Sequence, residues 1–354
     1  MKFYERTTFL ILMGFVLFLT VGLHSQPVTA QTDVLQDYPY HYFLPLIAQG
    51  DNSAKTSPGY TTSLYISTLD GATIYNYGCA LGSRDQQTPG TQDSLVILDF
   101  GQPWEEDGTL GVWSFSWQFI DTNRVYDLTK EYIRGYYNCT GSDNASRVDV
   151  AIGTSNYGSK VTSNHGKAWA GVVDRLYNWT ISSGYSSQVT VSGAIDIELS
   201  WNTPSISKAW VDGYDSADKG KYLLYNFGAC EGCPTRLATG LTPANGWKLS
   251  DIYYTAYGAA PVWPIPEIYA TSGVNARQWA YLSYWSYYNK GTSIYYRGLM
   301  TQWQACQQYP GQCEGTDNSP SEGWTQLFDE INYWSVTAQS TIPWLTDIKW
   351  EVKR

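Results

Sequence analysis

Three successive segments decide the fold: Arg147-Val-Asp-Val-Ala-Ile-Gly153, His165-Gly-Lys-Ala-Trp-Ala-Gly-Val-Val-Asp-Arg-Leu-Tyr-Asn-Trp179 and Val189-Thr-Val-Ser-Gly-Ala-Ile-Asp-Ile-Glu-Leu199. The first and third are short apolar runs rich in β-branched residues, which is typical of strands. The middle segment repeats apolar residues three and four positions apart and therefore predicts a helix. This order predicts two parallel strands joined by a crossover helix.

The same alternation continues along the rest of the chain. Further strand candidates lie at 63–68, 94–101, 221–227, 251–258, 265–269 and 293–300, and further helix candidates at 275–288 and 321–334. The last helix begins with a capping box, Ser319-Pro-Ser-Glu322. Eight strand candidates predict an α/β fold, a distorted (β/α)₈ TIM-like barrel with long loops. A doubly wound open sheet is the alternative, but no glycine-rich nucleotide turn follows the first strand.

The amino terminus has the layout of a secretory signal. Lys2 and Arg6 precede an apolar run over 9–23, and small residues follow at 27–30. An uncleaved anchor is the rival, but the run is shorter than the roughly 20 residues of a spanning helix. We therefore expect a signal peptide over 1–30, an extension and linker over 31–59, and one catalytic or binding domain over 60–354. The mature protein is expected to be extracellular, with no membrane insertion.

Composition excludes several classes of protein. The net charge is −10 and no basic block is present, which disfavours nucleic acid as a partner. Aromatic residues make up 16% and charged residues 15%, so the chain can bury a core and is not a disordered tail. With only three histidines, a multi-histidine zinc site is disfavoured. We expect a monomer without metal or cofactor.

Six cysteines fit an exported protein. Near-neighbour pairing predicts three disulfides: Cys230–Cys233, Cys306–Cys313 and Cys79–Cys139. A redox role for Cys230-Glu-Gly-Cys233 is the alternative. A Thr/Gly/Pro-rich loop follows this motif, whereas a redox pair lies at a helix start, and this favours a structural disulfide.

The sharpest candidate site is Asp196-Ile-Glu198 on the fourth predicted strand. Residues two apart on a strand share a face, so both carboxylates are expected inside the barrel, near its carboxyl-terminal rim. Two neighbouring carboxylates in a dry interior repel, which keeps one protonated and suited to act as a general acid. Glu267 and Asp99, at other strand ends, are expected to support the pair. The alternative is a strand end whose acids are solvated or paired with an arginine.

Substrate contacts are expected from polar and aromatic side chains near the strand ends, because flat rings suit the apolar faces of sugars. The candidates are Asn156, Trp201, Asn226, Tyr257, Trp263, Tyr269, Gln302 and Trp303. His165, at the start of a predicted helix, is interpreted as a capping or surface histidine.

Several segments resemble a group of secreted bacterial TIM-barrel proteins that look like glycoside hydrolases and have no established activity. They are Gly82-Ser-Arg-Asp85, Pro89-Gly-Thr-Gln-Asp-Ser-Leu-Val-Ile-Leu-Asp-Phe-Gly101, Gly153-Thr-Ser-Asn-Tyr157, Ala194-Ile-Asp-Ile-Glu-Leu-Ser-Trp-Asn202, Pro266-Glu-Ile-Tyr-Ala-Thr-Ser-Gly-Val-Asn-Ala276 and Thr301-Gln-Trp-Gln-Ala-Cys-Gln-Gln308. The resemblance covers about residues 60–352 and implies export and a barrel-like domain.

A weaker resemblance is to glycoside hydrolase families 25 and 18, which carry D-x-E on the fourth barrel strand and act on N-acetylated sugars. It implies Glu198 as the proton donor and Asp196 as the residue that orients a substrate acetamido group. Val191 and Ala194 stand where family 18 has two earlier acids, and Asp99 matches the early strand acid of family 25 only loosely.

We therefore expect a secreted glycoside hydrolase-like protein that cleaves a cell-wall or extracellular polysaccharide, with a glycan as its partner. One alternative is a non-catalytic carbohydrate-binding protein, and another is a surface-interaction protein on the same barrel. A peptidase is a further alternative, and His165 is the only plausible base for it besides the carboxylates.

Overall fold

The computed structural model describes residues 56–351. The predicted signal peptide and most of the predicted linker lie outside the described residues. The strands in chain order are β1 (Thr61–Tyr65), β2 (Asp93–Asp99), β3 (Gln102–Glu106), β4 (Thr109–Trp113), β5 (Phe119–Asp121), β6 (Arg147–Ser155), β7 (Val189–Asp196), β8 (Leu224–Asn226), β9 (Val262–Pro264), β10 (Gly298–Thr301) and β11 (Trp344–Trp350). The helices are α1 (Gly71–Gln87), α2 (Thr122–Cys139), α3 (Ser163–Ser182), α4 (Pro204–Asp218), α5 (Leu249–Tyr253), α6 (Val274–Lys290), α7 (Trp303–Gln308) and α8 (Pro320–Ile331).

Eight of the strands form a parallel sheet in the order β10, β11, β1, β2, β6, β7, β8, β9. The two ends of this sheet meet beyond β9, where Ile268 N donates to Met300 O at 2.9 Å and Met300 N donates to Pro266 O at 2.9 Å. The sheet is thus a nearly closed barrel, with helices in the connections. This confirms the predicted TIM-like fold, and β7 is the fourth barrel strand, as predicted.

Side chains alternate between the two faces of the barrel wall. On β7, Ile195 packs outward into the layer under the helices, whereas Ala194 belongs to a separate apolar cluster inside the barrel. Met300 and Ile348 belong to the same inner cluster. Apolar side chains therefore fill the interior of the barrel. The inward-facing positions at the carboxyl ends of the strands are left for polar groups.

The helix pair α1 and α2 packs unusually closely. A Cβ added at Gly135 would lie 2.0 Å from Tyr75 O, and one at Gly78 would lie 2.0 Å from Tyr132 O. Only glycine permits this approach. The Cys79–Cys139 disulfide joins the same two helices.

All three predicted disulfides are present: Cys79–Cys139, Cys230–Cys233 and Cys306–Cys313. The capping box at Ser319 and Glu322 is also present at the start of α8. Within residues 56–351, no helix combines the length and apolar character required to cross a bilayer.

The predicted strand at 251–258 is wrong. This segment is helical, with α5 followed by a single wide π-helical turn at Tyr254–Gly258. Its buried positions, Ile252, Thr255 and Ala256, are three and four apart, which is a helical and not a strand spacing. The eighth strand is β11, which the sequence analysis did not predict. The predicted strand at 265–269 makes only a bridge to β10, and the regular strand β9 lies just before it.

A small antiparallel sheet of β3, β4 and β5 is inserted between β2 and α2. Val112 and Ile120 from this insert are buried in the layer outside the barrel wall. The tip between β4 and β5 extends beyond the carboxyl end of β2, so the insert reaches the rim where the site is expected.

Candidate active site at the carboxyl-terminal rim

Three predicted catalytic carboxylates meet at the rim. Asp196 is the last residue of β7, Glu198 follows it by two positions, and Glu267 follows β9. One carboxylate oxygen from each lies within 4.8 Å of the other two. The parallel strands bring these residues together although Glu267 is far from the other two in sequence.

Asn156 fixes the backbone of Glu198. Its Oδ1 accepts from Glu198 N at 3.1 Å, and its Nδ2 donates to Glu198 O at 3.0 Å. Asn156 is fully buried, so the peptide groups on both sides of Glu198 are held rigidly. Asn156 was predicted to bind substrate, and its amide is occupied in positioning this carboxylate.

Glu198 has a pKa suited to proton transfer near neutrality. Burial, and secondly the negative charge of Glu231, raise the pKa of this carboxyl to about 7, although hydrogen bonds with the Glu267 side chain and the Ala229 backbone oppose the shift. Glu231 lies in the loop that the Cys230–Cys233 disulfide closes. At pH 6 the Glu198 carboxyl is therefore mainly protonated.

Burial also raises the pKa of Asp196 and of Glu267 well above the ordinary values. For Asp196 the neighbouring charges of Glu198 and Asp99 add to the effect, and for Glu267 those of Glu198 and Asp196 do so. Asp196 Oδ1 is buried and has no hydrogen-bond partner among the described residues. Because the three acids interact, their protons are lost in steps that belong to the cluster and not to one residue.

Asp99, the fourth predicted catalytic residue, lies at the end of β2 and is 2% exposed. Burial raises its pKa to about 7, although Oδ1 accepts a hydrogen bond from Gly101 N at 3.0 Å. Asp99 and Asp196 both line the rim cleft. Asp99 therefore faces the cleft from the side opposite β8 and β9.

The cleft beside the carboxylates has a volume of about 540 Å³ and mostly aromatic walls. Six of its rings come from the insert, from the loops after β6 and β7, and from β11: Trp113, Phe115, Trp117, Tyr157, Trp201 and Trp350. This volume falls within the range of ligand pockets. Trp201, a predicted contact, is 39% exposed, and its ring meets Tyr157 edge-on at 5.5 Å.

The remaining predicted contacts occupy several different places. Tyr269 lies beside Glu267, and a hydrogen bond from its side chain partly opposes the rise in the pKa of Glu267. Asn226 is 2% exposed, accepts from Gly228 N and donates to Thr255 O, so its amide holds the end of β8. Trp263, the middle residue of β9, is inside the barrel, and its ring centroid lies 5.3 Å from that of Tyr257.

Gln302 and Trp303 follow β10 directly. Gln302 Nε2 donates to Thr316 O at 3.0 Å, and Trp303 N donates to Asp347 Oδ1 at 2.8 Å. Both contacts hold the loop after β10 in place, and neither residue lines the rim cleft.

His165 is not a surface histidine. It is fully buried in the first turn of α3, where its Nδ1 accepts from Trp210 Nε1 at 2.9 Å and its Nε2 donates to Gly111 O at 2.8 Å. Burial lowers the pKa of His165 to about 4, so the ring is neutral. The interpretation as a surface residue was wrong because Trp169 and Trp210 enclose the ring.

The acid cluster also has the donor set of a cation site. Three carboxylate oxygens within 4.8 Å are ligands that Mg²⁺, Ca²⁺ or Mn²⁺ prefers. No metal was predicted here, because no loop in the sequence has a recognisable calcium-binding spacing.

Sequence analysis also missed Glu231, Trp117 and Trp350 as parts of the rim. Glu231 was considered only as the interior of a Cys-x-x-Cys motif. Trp117 belongs to the insert, and Trp350 belongs to the strand that was not predicted. Their positions relative to the strands could have indicated a place at the rim. Glu231 follows β8, Trp117 follows β4, and Trp350 ends β11.

Comparisons with known proteins identify no family for this chain. No family model matches the chain, and no curated protein matches it significantly in sequence. Among solved structures, it is similar to a sugar phosphate isomerase/epimerase from Parabacteroides distasonis ATCC 8503, at 12% identity and a TM-score of 0.39. That match covers 85% of this chain and 91% of the other.

Proposed function

We propose that the protein is a secreted glycoside hydrolase that cleaves a cell-wall or extracellular polysaccharide containing N-acetylhexosamine. The observation that carries the proposal is the meeting of Asp196, Glu198 and Glu267 within 4.8 Å, where Asp196 also lines an aromatic cleft. An acid with a pKa of about 7 supplies the proton that a leaving sugar oxygen requires. Aromatic rings bind the apolar faces of sugar units.

Glu198 is the general acid in this proposal. Its carboxyl gives its proton to the glycosidic oxygen while the bond between that oxygen and the anomeric carbon breaks. The three carboxylates lie closer together than the roughly 6.5–9.5 Å that an inverting pair needs for a water molecule. The tight cluster thus favours a mechanism in which the nucleophile is not a water held between these acids.

The substrate's own acetamido oxygen is the proposed nucleophile. It attacks the anomeric carbon as the leaving group departs, and Asp196 orients the acetamido N–H. Water then attacks the same carbon, Glu198 takes a proton from that water, and the acetamido group is restored. Burial and the charges of Glu198 and Asp196 raise the pKa of Glu267, which favours its protonated form beside the pair.

The test is release of reducing ends from chitin, peptidoglycan, β-glucan and α-glucan by the wild type and by Glu198→Gln. We expect release from an N-acetylated polymer, and a fall of at least about a hundredfold in the variant, because general acid catalysis contributes that much. Glu314→Gln, at an exposed acid beside the Cys306–Cys313 loop, is the matched control and should keep full activity.

Unchanged activity in a folded Glu198→Gln variant would remove Glu198 from the mechanism. Absence of release from every polymer, with glycan retained on the folded protein, would instead support the carbohydrate-binding alternative. Activity that EDTA abolishes and Mn²⁺ or Mg²⁺ restores would assign the acid cluster to metal-dependent chemistry.

A further inference from the structure

A second cavity opens at the amino-terminal end of the barrel and has a volume of about 360 Å³. Its walls come from the starts of β2, β6, β7 and β11 and from the loop between α4 and β8. The carboxylate cluster lies at the opposite ends of these strands. The cavity is therefore separate from the proposed catalytic cleft.

Two buried side-chain oxygens of this cavity have no hydrogen-bond partner within residues 56–351. Asp149 is 7% exposed; its Oδ2 accepts from Ser192 and Tyr225, but Oδ1 has no hydrogen-bond partner among the described residues. Thr190 Oγ1, also buried, has none either. A buried carboxylate oxygen or hydroxyl group without a hydrogen-bond partner destabilises the fold unless a ligand or a water molecule forms a hydrogen bond with it. Both groups can bind hydroxyl groups of a ligand.

The cavity is positively charged although the chain is acidic. Four basic and two acidic side chains line it, in a protein whose net charge is −10. Arg297 is 2% exposed and lies over the ring of Trp263 at 4.2 Å, while Lys219 and Lys221 are exposed on the loop between α4 and β8. Such a lining favours an anionic ligand.

Aromatic residues complete the wall. Tyr177, Tyr222 and Trp344 line the cavity together with the hydroxyl-bearing groups. Rings beside polar acceptors suit a ligand that is apolar on one face and hydroxylated at its edge. A sugar ring has this character, and a carboxylate on that ring matches the basic lining.

We propose that this cavity is a second binding site, and that its ligand is a monosaccharide acid such as a uronic acid. The hydroxyl groups of the sugar donate to Asp149 Oδ1 and bond to Thr190 Oγ1, and its carboxylate faces Lys221 and Lys219.

The test is calorimetric titration of the full chain at pH 7 with D-glucuronate, D-glucose and cyclohexanecarboxylate. We expect saturable binding of one D-glucuronate per chain, and at least about tenfold weaker binding of the other two, because each lacks one matched group. Lys221→Gln should weaken D-glucuronate binding about tenfold, and Thr190→Val, which keeps the side-chain shape, should weaken it about fivefold.

Two controls make the result decisive. Lys130→Gln changes the same charge on α2, away from the cavity, and Glu198→Gln changes the rim; both should bind D-glucuronate as the wild type does. The proposal is overturned if D-glucuronate shows no saturable binding up to about 10 mM. Equal binding of all three compounds, or binding that neither cavity variant weakens, overturns it as well.

Discussion

Asn156 and Glu231 act on Glu198 in different ways. Asn156 holds the backbone on both sides of the acid through two hydrogen bonds, whereas Glu231 acts on the carboxyl through its charge. Asn156 therefore sets the position of Glu198, and Glu231 contributes to its pKa. A substitution at Glu231 can change the pKa of Glu198 without moving it.

We predict that Glu231→Gln moves the alkaline limb of the pH–activity profile to lower pH. The negative charge of Glu231 favours the protonated form of Glu198, so its removal lowers the pKa of the acid from about 7. A general acid works only while protonated, and activity is then lost at a lower pH. The measurement is kcat/KM between pH 4 and 9.

The matched control is Glu314→Gln, which also neutralises an exposed acid next to a small disulfide loop. Its profile should coincide with that of the wild type. An alkaline limb that stays in place in Glu231→Gln, or that moves equally in both variants, contradicts the assignment of Glu198 as the acid.

Among the structural elements, the insert of β3, β4 and β5 determines the shape of the cleft. Its tip carries Trp117, which is 74% exposed and has a φ of 61°. Positive φ is rare for a bulky residue and carries a cost in conformational energy. The tip nevertheless places a large ring in the cleft lining, where a sugar can pack against it.

We predict that Trp117→Ala weakens glycan binding about fivefold to tenfold without changing the chemical step. The loss corresponds to one aromatic contact, about 1 kcal/mol. Binding is measured on the inactive Glu198→Gln background, so that turnover does not interfere. Tyr288→Ala removes a ring that is 63% exposed on α6 and should bind as the parent does. Equal affinities of the Trp117 and Tyr288 variants would refute the contact.

Sequence patterns predicted the elements whose spacing is regular. Seven of the eight predicted barrel strands overlap or adjoin an observed strand. The helices α3, α6 and α8 were also predicted, from apolar residues at helical spacing. The strand β11, with sequence Trp344-Leu-Thr-Asp-Ile-Lys-Trp350, was missed because Asp347 and Lys349 interrupt its apolar pattern. Asp347 is buried and held by Thr301 and the backbone of Trp303 and Gln304, which only the fold reveals.

The site was predictable to the extent that strand ends converge. Asp196, Glu198 and Glu267 were found because they follow strand-like runs, and the barrel brings such positions together. Trp263 shows the limit of this reasoning. It was expected at the rim, but it lies within β9, so its ring packs inside the barrel, where Arg297 lies over it.

At the scale of the whole molecule, the disulfides join cysteines that are separated by very different numbers of residues along the sequence. Cys79–Cys139 closes a loop of 60 residues across α1 and α2, whereas Cys306–Cys313 closes one of 7 residues beside the rim. Longer loops lose more entropy when they are closed in the unfolded chain. The first disulfide should therefore stabilise the fold more than the third.

We predict that replacing Cys79 and Cys139 together by alanine lowers the free energy of unfolding by about 4 kcal/mol. The corresponding replacement of Cys306 and Cys313 should lower it by about 2 kcal/mol. Urea unfolding of both variants and the wild type measures the difference. A larger loss for the Cys306 and Cys313 variant would show that local packing, and not loop closure, determines the contribution of these disulfides.

The insert also has a consequence for how this barrel can change over evolution. Its base is fixed, since Val112 and Ile120 are buried, His165 bonds to Gly111 O, and a Cβ at Gly111 would lie 2.0 Å from Ile120 O. Its tip, residues 114–118, is a tight loop closed by Ser114 and Gln118, and Phe115 packs edge-on against Tyr65 and Trp350 of the barrel. Trp117, which is 74% exposed, is the tip position where mutations can accumulate with the least effect on folding. New specificities are therefore accessible from this position while the rest of the scaffold stays under selection for stability.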